Sequence, residues 1–466
     1  MWFGSGAVLM FVPFPSLPAG ELHSKEEAID VARLRVPPSE IVRLVPGASR
    51  LKLVSVLGEP VYLAGFPQSM KAISGESGWL LHPLSSAQAK EIAEKFGRAA
   101  ARTVRGPLYY DQWVVPNNFD RYRPFFKVSL ADTDGTDIYV SAVTDQPVQV
   151  TTRHQRFWAS VGAVLHWIYF PPVRSSFSLW SHLVWWLSLF ALVTSLAGTW
   201  LGVYRFLQSR ATKKKRMSFF FGWLRWHHII GLFASLFVLI WIFSGLLSMD
   251  DGYWFSLGAA SEARIARFRG ASVPSVAEAF SLSDIRELMP AAEVEFDSVG
   301  GKPFMLALGA GNSPRIRLAG SQTDVERLPV TLLEQSVAAA WRNTPIVYKG
   351  FVSPDDMYYG SEGLYPGTLA FQLGPPRNSS VYIDSVSGDV VAVVNGSRRA
   401  YAWLFYGLHT FKVPGLISHP LLRESIELPL LALGFTFSLT GVVIGYRRLR
   451  RDLADLSLSA KNSVTQ

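Results

Sequence analysis

The chain of 466 residues contains no cysteine. Disulfide bonds, iron–sulfur clusters held by thiolates and a cysteine nucleophile are therefore excluded. Charge is also scarce: Asp, Glu, Lys and Arg make up 17% of the residues, while hydrophobic residues make up 49%. Because a soluble domain usually carries about a quarter charged residues, this deficit indicates a membrane protein.

Three long runs lack any charged residue, namely 175–204, 226–249 and 428–446. Each is long enough to cross a hydrocarbon layer about 30 Å thick. A fourth run, 1–20, is also uncharged but is interrupted by three prolines. We interpret it as the end of a truncated membrane helix. A secretory signal peptide is the alternative, although no basic segment precedes the apolar stretch.

Basic residues next to these runs predict the orientation of the chain. They follow residue 204 and residue 446: Arg205, Arg210, Lys213, Lys214, Lys215, Arg216, Arg447, Arg448, Arg450 and Arg451. Positive charge beside a span marks the cytoplasmic side, so both termini of the full-length form are expected there. The long polar stretches, about 21–174 and 250–427, are then expected outside. These anchors account for most of the net charge of +9, and no nucleic-acid partner is predicted.

The second half of the chain repeats the first. With a constant shift of 243, residues 139–207 align without a gap on residues 382–450, so that "VLHWIYFPP" falls on "GLHTFKVPG". His166 matches His409, and in both copies a glycine follows the histidine after 32 positions. Such a register indicates a tandem duplication.

The beginning of each unit repeats as well, since "MWFGSGAVLM" (1–10) resembles "IWIFSGLLSM" (240–249). The counterpart of His227 would fall about 12 positions before Met1, so the first helix is expected to begin in its middle. Both units enter and leave the membrane on the same sides. They are therefore parallel repeats related by an axis along the membrane normal, with matched residues at equal depth.

The predicted fold is a four-helix transmembrane bundle, with a truncated first helix, that carries two external α+β domains. In chain order we expect a partial transmembrane helix (1–18), the first domain (19–152), a histidine-bearing interfacial helix and loop (153–174), a transmembrane helix (175–207), a basic cytoplasmic loop (208–221), a transmembrane helix (222–249), the second domain (250–396), a second interfacial helix and loop (397–424), the last transmembrane helix (425–447) and a cytoplasmic tail (448–466).

Local patterns predict elements inside the two external domains. Ser24, three residues before Glu27, resembles the capping box that begins a helix. Residues 85–100 and 330–343 are predicted as further helices. Alternating residues around turns predict strands within 125–150 and 368–394.

Histidine is concentrated near the membrane, because six of the nine histidines lie within or beside the spans. Ionisable groups at membrane depth are costly and tend to mark function, and neutral imidazole binds haem iron. The duplication should place His166 and His409 opposite each other, where they could take both axial positions of one haem. The alternative is a pair of interfacial histidines beside aromatic anchors such as Trp167 and Tyr169.

His227 is the third candidate ligand. It shares a helix face with small residues, and similar stripes run along the last helix of each copy, which leaves room for a flat cofactor or for close helix packing. The stripe residues are Gly231, Ala234, Val238 and Gly245, then Ala191, Ser195, Gly198 and Gly202, matched by Gly434, Ser438, Gly441 and Gly445. His228 points about 100° away and is expected to support or pack. His182 is a secondary candidate, and His419 is expected in a loop.

The span "RWHHIIGL…WIFSGLLSMD", the paired "LH" helices and the duplicated external domains resemble the PepSY-associated transmembrane family. This family includes inner-membrane ferric-siderophore reductases of Gram-negative bacteria. The resemblance implies periplasmic PepSY domains and one or two b-type haems that carry electrons to periplasmic ferric chelates. The family's first-helix histidine precedes a glycine by four residues, as His227 precedes Gly231, which favours His227 over His228. The matching ligand in the first helix is absent here.

The sequence therefore predicts a bacterial inner-membrane haem protein that reduces ferric chelates. No flavin or nicotinamide fingerprint is present, and the glycine strings "GSGAV" and "GAGNSP" lack the strand–helix context of a nucleotide site. The electron donor must then be separate, either a quinol or a cytoplasmic reductase. Two other interpretations are a PepSY-type binding or regulatory protein without redox activity and a siderophore-uptake permease. No span carries a buried carboxylate or a broken helix pair at mid-membrane, the usual sign of a transport path.

Overall fold

The computed structural model describes residues 1–212, 216–256, 259–309, 311 and 313–464. Three helices are long and apolar enough to cross a membrane, which agrees with the prediction of a membrane protein with α+β domains. The predicted basic loop falls partly on Lys213, Lys214 and Lys215, which lie outside the described residues. The helices are α1 (Trp2–Phe11), α2 (Ala19–Lys25), α3 (Pro38–Leu44), α4 (Ser86–Gly97), α5 (Arg153–Ala159), α6 (Leu165–Trp167), α7 (Pro171–Arg174), α8 (Phe177–Ala211), α9 (Gly222–Leu247), α10 (Glu262–Arg269), α11 (Val273–Glu278), α12 (Leu282–Glu287), α13 (Val330–Ala340), α14 (Gly396–Tyr401), α15 (Leu408–Thr410) and α16 (Pro420–Val464).

The strands form three antiparallel sheets. They are β1 (Arg50–Val56), β2 (Glu59–Gly65), β3 (Met70–Ser74), β4 (Ala101–Leu108), β5 (Phe125–Leu130), β6 (Asp137–Ser141), β7 (Pro147–Thr151), β8 (Glu293–Val299), β9 (Lys302–Leu308), β10 (Arg315–Leu318), β11 (Ile346–Phe351), β12 (Thr368–Leu373), β13 (Ser379–Asp384) and β14 (Val390–Val394). Strands β4–β7 form one four-stranded sheet and β11–β14 form its counterpart. The same order of elements thus occurs in each half of the chain.

The two sheet-containing units share a third sheet, with strand order β10-β9-β8-β1-β2-β3. Strands β1 and β8 pair across the boundary, with Leu51 opposite Phe296 and Leu53 opposite Val294. Val294 is the counterpart of Leu51 and Phe296 is the counterpart of Leu53, each 243 positions later, so the two pairs are equivalent under a two-fold axis. The axis passes through the central pair, Lys52 opposite Glu295, whose members also differ by 243 positions.

Helix α4 shows how the sequence specifies its own helix. Ser85 and Gln88 cap its first turn reciprocally, and Ala89, Ile92 and Phe96 bury one face at helical spacing. The capping box predicted at Ser24 is wrong. Helix α2 already ends at Lys25, and the Ser24 hydroxyl donates to the backbone oxygen of Glu21 within that last turn.

The long helices pack with α9 between α8 and α16, and α1 packs on α16. At one end the Arg447 guanidinium lies 5.6 Å above the Trp223 ring, which brings the basic end of α16 to the start of α9. Apolar side chains on α8 face outward, with Trp200 78% and Phe190 71% exposed. Such an apolar surface suits lipid. Helix α1 has 10 residues and spans about 15 Å, which is too short to cross a bilayer alone.

Candidate functional site

Each half of the chain presents a histidine at the end of a distorted helix. A π-helical segment, Ser160–Val164 or Ala402–Gly407, directly precedes α6 or α15. Each short helix contains its histidine, His166 or His409, and then ends at a left-handed residue. π-Helical turns are rare and frequently occur at functional sites. No local sequence pattern predicts these segments directly.

The structure brings His166 and His409 together. Their ring centres lie 6.2 Å apart and their planes are inclined by 73°. An imidazole nitrogen lies about 2 Å from a metal ion that it binds and roughly 1 Å from its own ring centre. Two imidazoles on opposite sides of one ion therefore have centres about 6 Å apart. The observed separation fits a shared metal ion.

Hydrogen bonds orient both rings in the same way. Nδ1 of His166 lies 3.2 Å from the backbone oxygen of Trp2 and 3.3 Å from Oγ of Ser5. Nδ1 of His409 lies 3.0 Å from Oγ of Ser244. Because the Trp2 carbonyl can only accept, Nδ1 of His166 donates and its Nε2 keeps a free lone pair. Within the described part of the chain neither Nε2 has a hydrogen-bonding partner, so both are available as ligands.

Glycines allow this close approach of helix and ring. A Cβ atom on Gly6 would lie 3.3 Å from His166, and one on Gly245 would lie 3.4 Å from His409. Ser5–Gly6 and Ser244–Gly245 are the repeated Ser-Gly pairs of "WFGSG" and "WIFSG". The sequence repeat therefore corresponds to a repeated support for the ring, although sequence reasoning did not assign the serines this role.

A cavity of about 1000 Å³ extends beside the two histidines. Ligand pockets range up to about this size, which is ample for a macrocycle. Its wall includes Trp2, Trp241 and Phe405, and small residues of the predicted stripes: Ala191, Ser195, Gly245 and Ser438. The wall is therefore mainly apolar, with flat aromatic groups and little bulk on three helices.

Charged side chains line one part of this cavity. Lys412 and Arg423 are the cations, and Glu424 and Glu427 are the acids. No ion pair joins either cation to an acid among the described residues, and Oε1 of Glu427 is enclosed without a hydrogen-bonding partner. Burial, together with repulsion from Arg423, lowers the pKa of Lys412. These cations would be stabilised by the carboxylates of a ligand.

His227 lies near the opposite end of α9, where its Nδ1 is 2.9 Å from Oγ1 of Thr440. Its ring stacks on Phe437 with centres 4.5 Å apart and contacts the position of Gly441. The 17 residues from His227 to Ser244 span about 25 Å of helix. Among the described residues, no second imidazole with an unbonded nitrogen contacts His227. The structure therefore does not bring it to the histidine pair.

The remaining histidines have other positions. Both nitrogens of His228 are engaged, at 2.8 Å from Oγ of Ser218 and 2.8 Å from the backbone oxygen of Gly202, so it joins α8 to α9. His182 is exposed, and its Nδ1 lies 2.7 Å from the backbone oxygen of Ser178. His419 lies in the exposed loop before α16. Other stripe glycines serve packing, since a Cβ on Gly434 would clash with Phe3 and one on Gly231 with Phe437.

Comparisons of the chain with protein-family models and with curated protein sequences give no match.

Proposed function

We propose that this protein is a b-type haem protein of the bacterial inner membrane that carries electrons across the bilayer to ferric chelates such as ferric siderophores. One observation carries the proposal. Equivalent histidines of two repeats meet at a ring separation of 6.2 Å, with Nε2 free, beside an apolar cavity of about 1000 Å³. Haem with two imidazole ligands is the cofactor that this donor set fits best.

In this proposal His166 and His409 are the residues that would hold the haem, through their free Nε2 atoms. Bound haem would supply a one-electron couple between ferric and ferrous iron. Ser5, Ser244 and the Trp2 carbonyl fix the ring orientations, because each engages Nδ1 and leaves Nε2 for the metal. The apolar wall excludes water from this centre, which tunes its potential.

Lys412 and Arg423 suit the propionate groups of haem. Both line the same cavity as the histidines, and neither is neutralised by an ion pair within the described residues. A carboxylate placed there would gain charge-assisted hydrogen bonds in a site of low dielectric constant. These contacts would also fix which edge of the macrocycle faces the sheet-containing units.

The proposed direction of electron flow follows from charge. Arg205, Arg210 and Arg447 lie at the end of the bundle that holds Trp223, and positive residues mark the cytoplasmic side. The histidine pair belongs to the other end, next to Ser244 and the start of α16. Electrons from a quinol or a cytoplasmic reductase would thus leave on the periplasmic side, where we place two PepSY-like domains. His227 remains a candidate ligand for a second haem.

Spectroscopy of the purified full chain tests this proposal. We expect a red protein with one haem by pyridine haemochrome assay, a sharp α-band on reduction, and reoxidation by added ferric chelate. A colourless protein that gains no Soret band with excess haem would exclude a haem function and favour the regulatory alternative. A haem protein that ferric chelates do not reoxidise would retain the cofactor but exclude the acceptor.

A further inference from the structure

A second cluster of ligating side chains lies where the two sheet-containing units meet. His23, Glu26 and Glu293 each offer a ligand atom, and these atoms lie within 4.8 Å of one another. Nε2 of His23 is 3.9 Å from Oε2 of Glu293. His23 lies in helix α2 of the first unit, and Glu26 directly follows that helix. Glu293 is the first residue of β8 in the second unit. One ion here would contact both units.

The Glu26 carboxylate is only half satisfied. Its Oε1 accepts a hydrogen bond of 2.9 Å from Nε2 of Gln146. Its Oε2 is fully enclosed and has no hydrogen-bonding partner among the described residues. An enclosed carboxylate oxygen without a donor is costly, so the site lacks a positive or donating partner.

The balance of charge points the same way. Lys52 contributes one ammonium group, 2.8 Å from Oε2 of Glu293. Three carboxylates surround it, those of Glu26, Glu293 and Glu295, and all are largely buried. Lys52 forms its ion pair with Glu293, and no cation among the described residues forms one with Glu26.

The equivalent place in the other repeat contains cations of its own. The hydrogen bond between Gln146 and Glu26 corresponds, 243 positions later, to the contact of 3.4 Å between Asp389 and Arg269. Arg50 stands where the first cluster has Glu293, and it lies 2.9 Å from Asp389. Two guanidinium groups thus occupy the positions that are carboxylates in the first cluster. The protein therefore places Arg50 and Arg269 in one cluster, and the matching positions of the first cluster contain no cation.

We propose that His23, Glu26 and Glu293 bind one divalent transition-metal ion of the zinc type, which joins the two sheet-containing units. Imidazole nitrogen with carboxylate oxygens suits zinc and similar ions, whereas calcium and magnesium prefer oxygen alone. A divalent ion would give the enclosed Oε2 of Glu26 a partner. The site uses none of the residues assigned to haem and does not depend on the proposed function.

Zinc binding to the purified, chelator-treated full chain tests the assignment. We measure bound zinc by equilibrium dialysis and compare the parent chain with Glu26→Gln and His23→Asn. Each substitution should remove one equivalent of bound zinc, or weaken that site more than tenfold, and should abolish the zinc-induced rise in melting temperature. Glu21→Gln is the matched control, since Glu21 lies on the same helix, its side chain is 41% exposed, and its carboxylate pairs only with Lys25 among the described residues.

Cobalt gives a readout that needs no substitution. Co²⁺ bound to one nitrogen and carboxylate oxygens should produce visible absorption that excess zinc removes. The proposal is overturned if the parent chain binds no zinc below about 0.1 mM, if Glu21→Gln loses as much zinc as Glu26→Gln, or if calcium binds in place of zinc. Haem content, recorded in the same samples, separates this outcome from a failure of the haem proposal.

Discussion

Two places on the same two-fold axis differ in how far the repeats have diverged. At the histidine pair both copies supply the same groups, a histidine held by a serine: His166 with Ser5 and His409 with Ser244. At the sheet junction Lys52 in one copy faces Glu295 in the other. The first place has kept its symmetry, and the second has not.

The difference has a physical explanation. A metal ion on the axis contacts both copies alike, so both must offer the same ligand at the same distance. Charged groups beside the axis have no such constraint, because a cation in one copy can be offset by an anion in the other. Symmetry therefore indicates a shared ligand, and broken symmetry indicates local compensation. The four predictions below test that distinction, beginning with the largest expected effect.

Removing either histidine of the proposed haem-binding pair should have the largest effect. His166→Ala and His409→Ala should each abolish nearly all low-spin haem absorption, because one iron needs both rings. Reduced-minus-oxidised spectra of the purified variants measure this loss. His182→Ala is the control, since this exposed histidine bonds only within its own helix. Full bis-histidine spectra in either axial variant would show that the two rings do not share an iron.

The serines should have a smaller effect, and the two effects should differ. Ser5→Ala and Ser244→Ala each remove a group that orients a ring, and losses of this kind weaken metal binding by about 10–100-fold. We expect the larger loss of haem affinity in Ser244→Ala, because Nδ1 of His166 keeps the Trp2 backbone oxygen at 3.2 Å when Ser5 is replaced. A shift in reduction potential would distinguish this effect from a purely structural change. Ser438→Ala is the control, because Ser438 lines the cavity but bonds only to the backbone of Gly434. A larger loss in Ser5→Ala would contradict the proposed orientation of the two rings.

The membrane helices could be predicted from sequence because their signal is composition. Run 428–446 lies within α16, run 226–249 lies within α9 except for its last two residues, and helix α4 lies within the predicted 85–100. The pairing of His166 with His409 could be expected for a different reason: a repeat constrains distance without any knowledge of the chain between its copies. In both cases the information is local or periodic.

Other features depend on contacts that no local pattern encodes. The pairing of β1 with β8 joins residues 239 to 245 positions apart, and the sequence of either strand alone shows only an alternation of apolar and polar residues. The wrong prediction of a capping box at Ser24 has a related cause. The Ser24 hydroxyl donates to the backbone oxygen of Glu21 in the last turn of α2 and does not begin a new helix. The roles proposed for Lys412 and Arg423 depend on the cavity that they line, because from sequence alone a charge beside a span indicates only an ordinary membrane anchor.

The turn after β6 offers a smaller test of divergence between the copies. Asp145 and its counterpart Gly388 both have positive φ, at 56° and 71°. Asp145 is buried, and burial raises its pKa to about 7. The folded state therefore holds the proton more tightly than the unfolded state, and the free energy of unfolding falls as the pH rises from about 4 to about 7.

Asp145→Asn removes that penalty while keeping a side chain that tolerates positive φ. We expect unfolding to cost about 2 kcal/mol more at pH 8, and no significant change at pH 4, where the aspartate is protonated. Thermal melts at the two pH values measure the difference. A gain of equal size at both values would indicate a backbone effect and not an effect of charge.

The smallest effect is expected at the cluster of Asp389, Arg50 and Arg269, which is the counterpart of the proposed zinc site in the other repeat. Asp389→Ala removes an ion pair with Arg50 in which the two side chains are 36% and 55% exposed. Exposed pairs contribute below about 1 kcal/mol, and Arg269 keeps Asp297 at 3.2 Å. The melting temperature should fall slightly at low salt, less at high salt, and zinc binding should not change. A loss of zinc in this variant would mean that the charge of the Asp389 cluster is needed for zinc binding at the other cluster. The two clusters would then act as one, and local compensation could not explain the asymmetry between them.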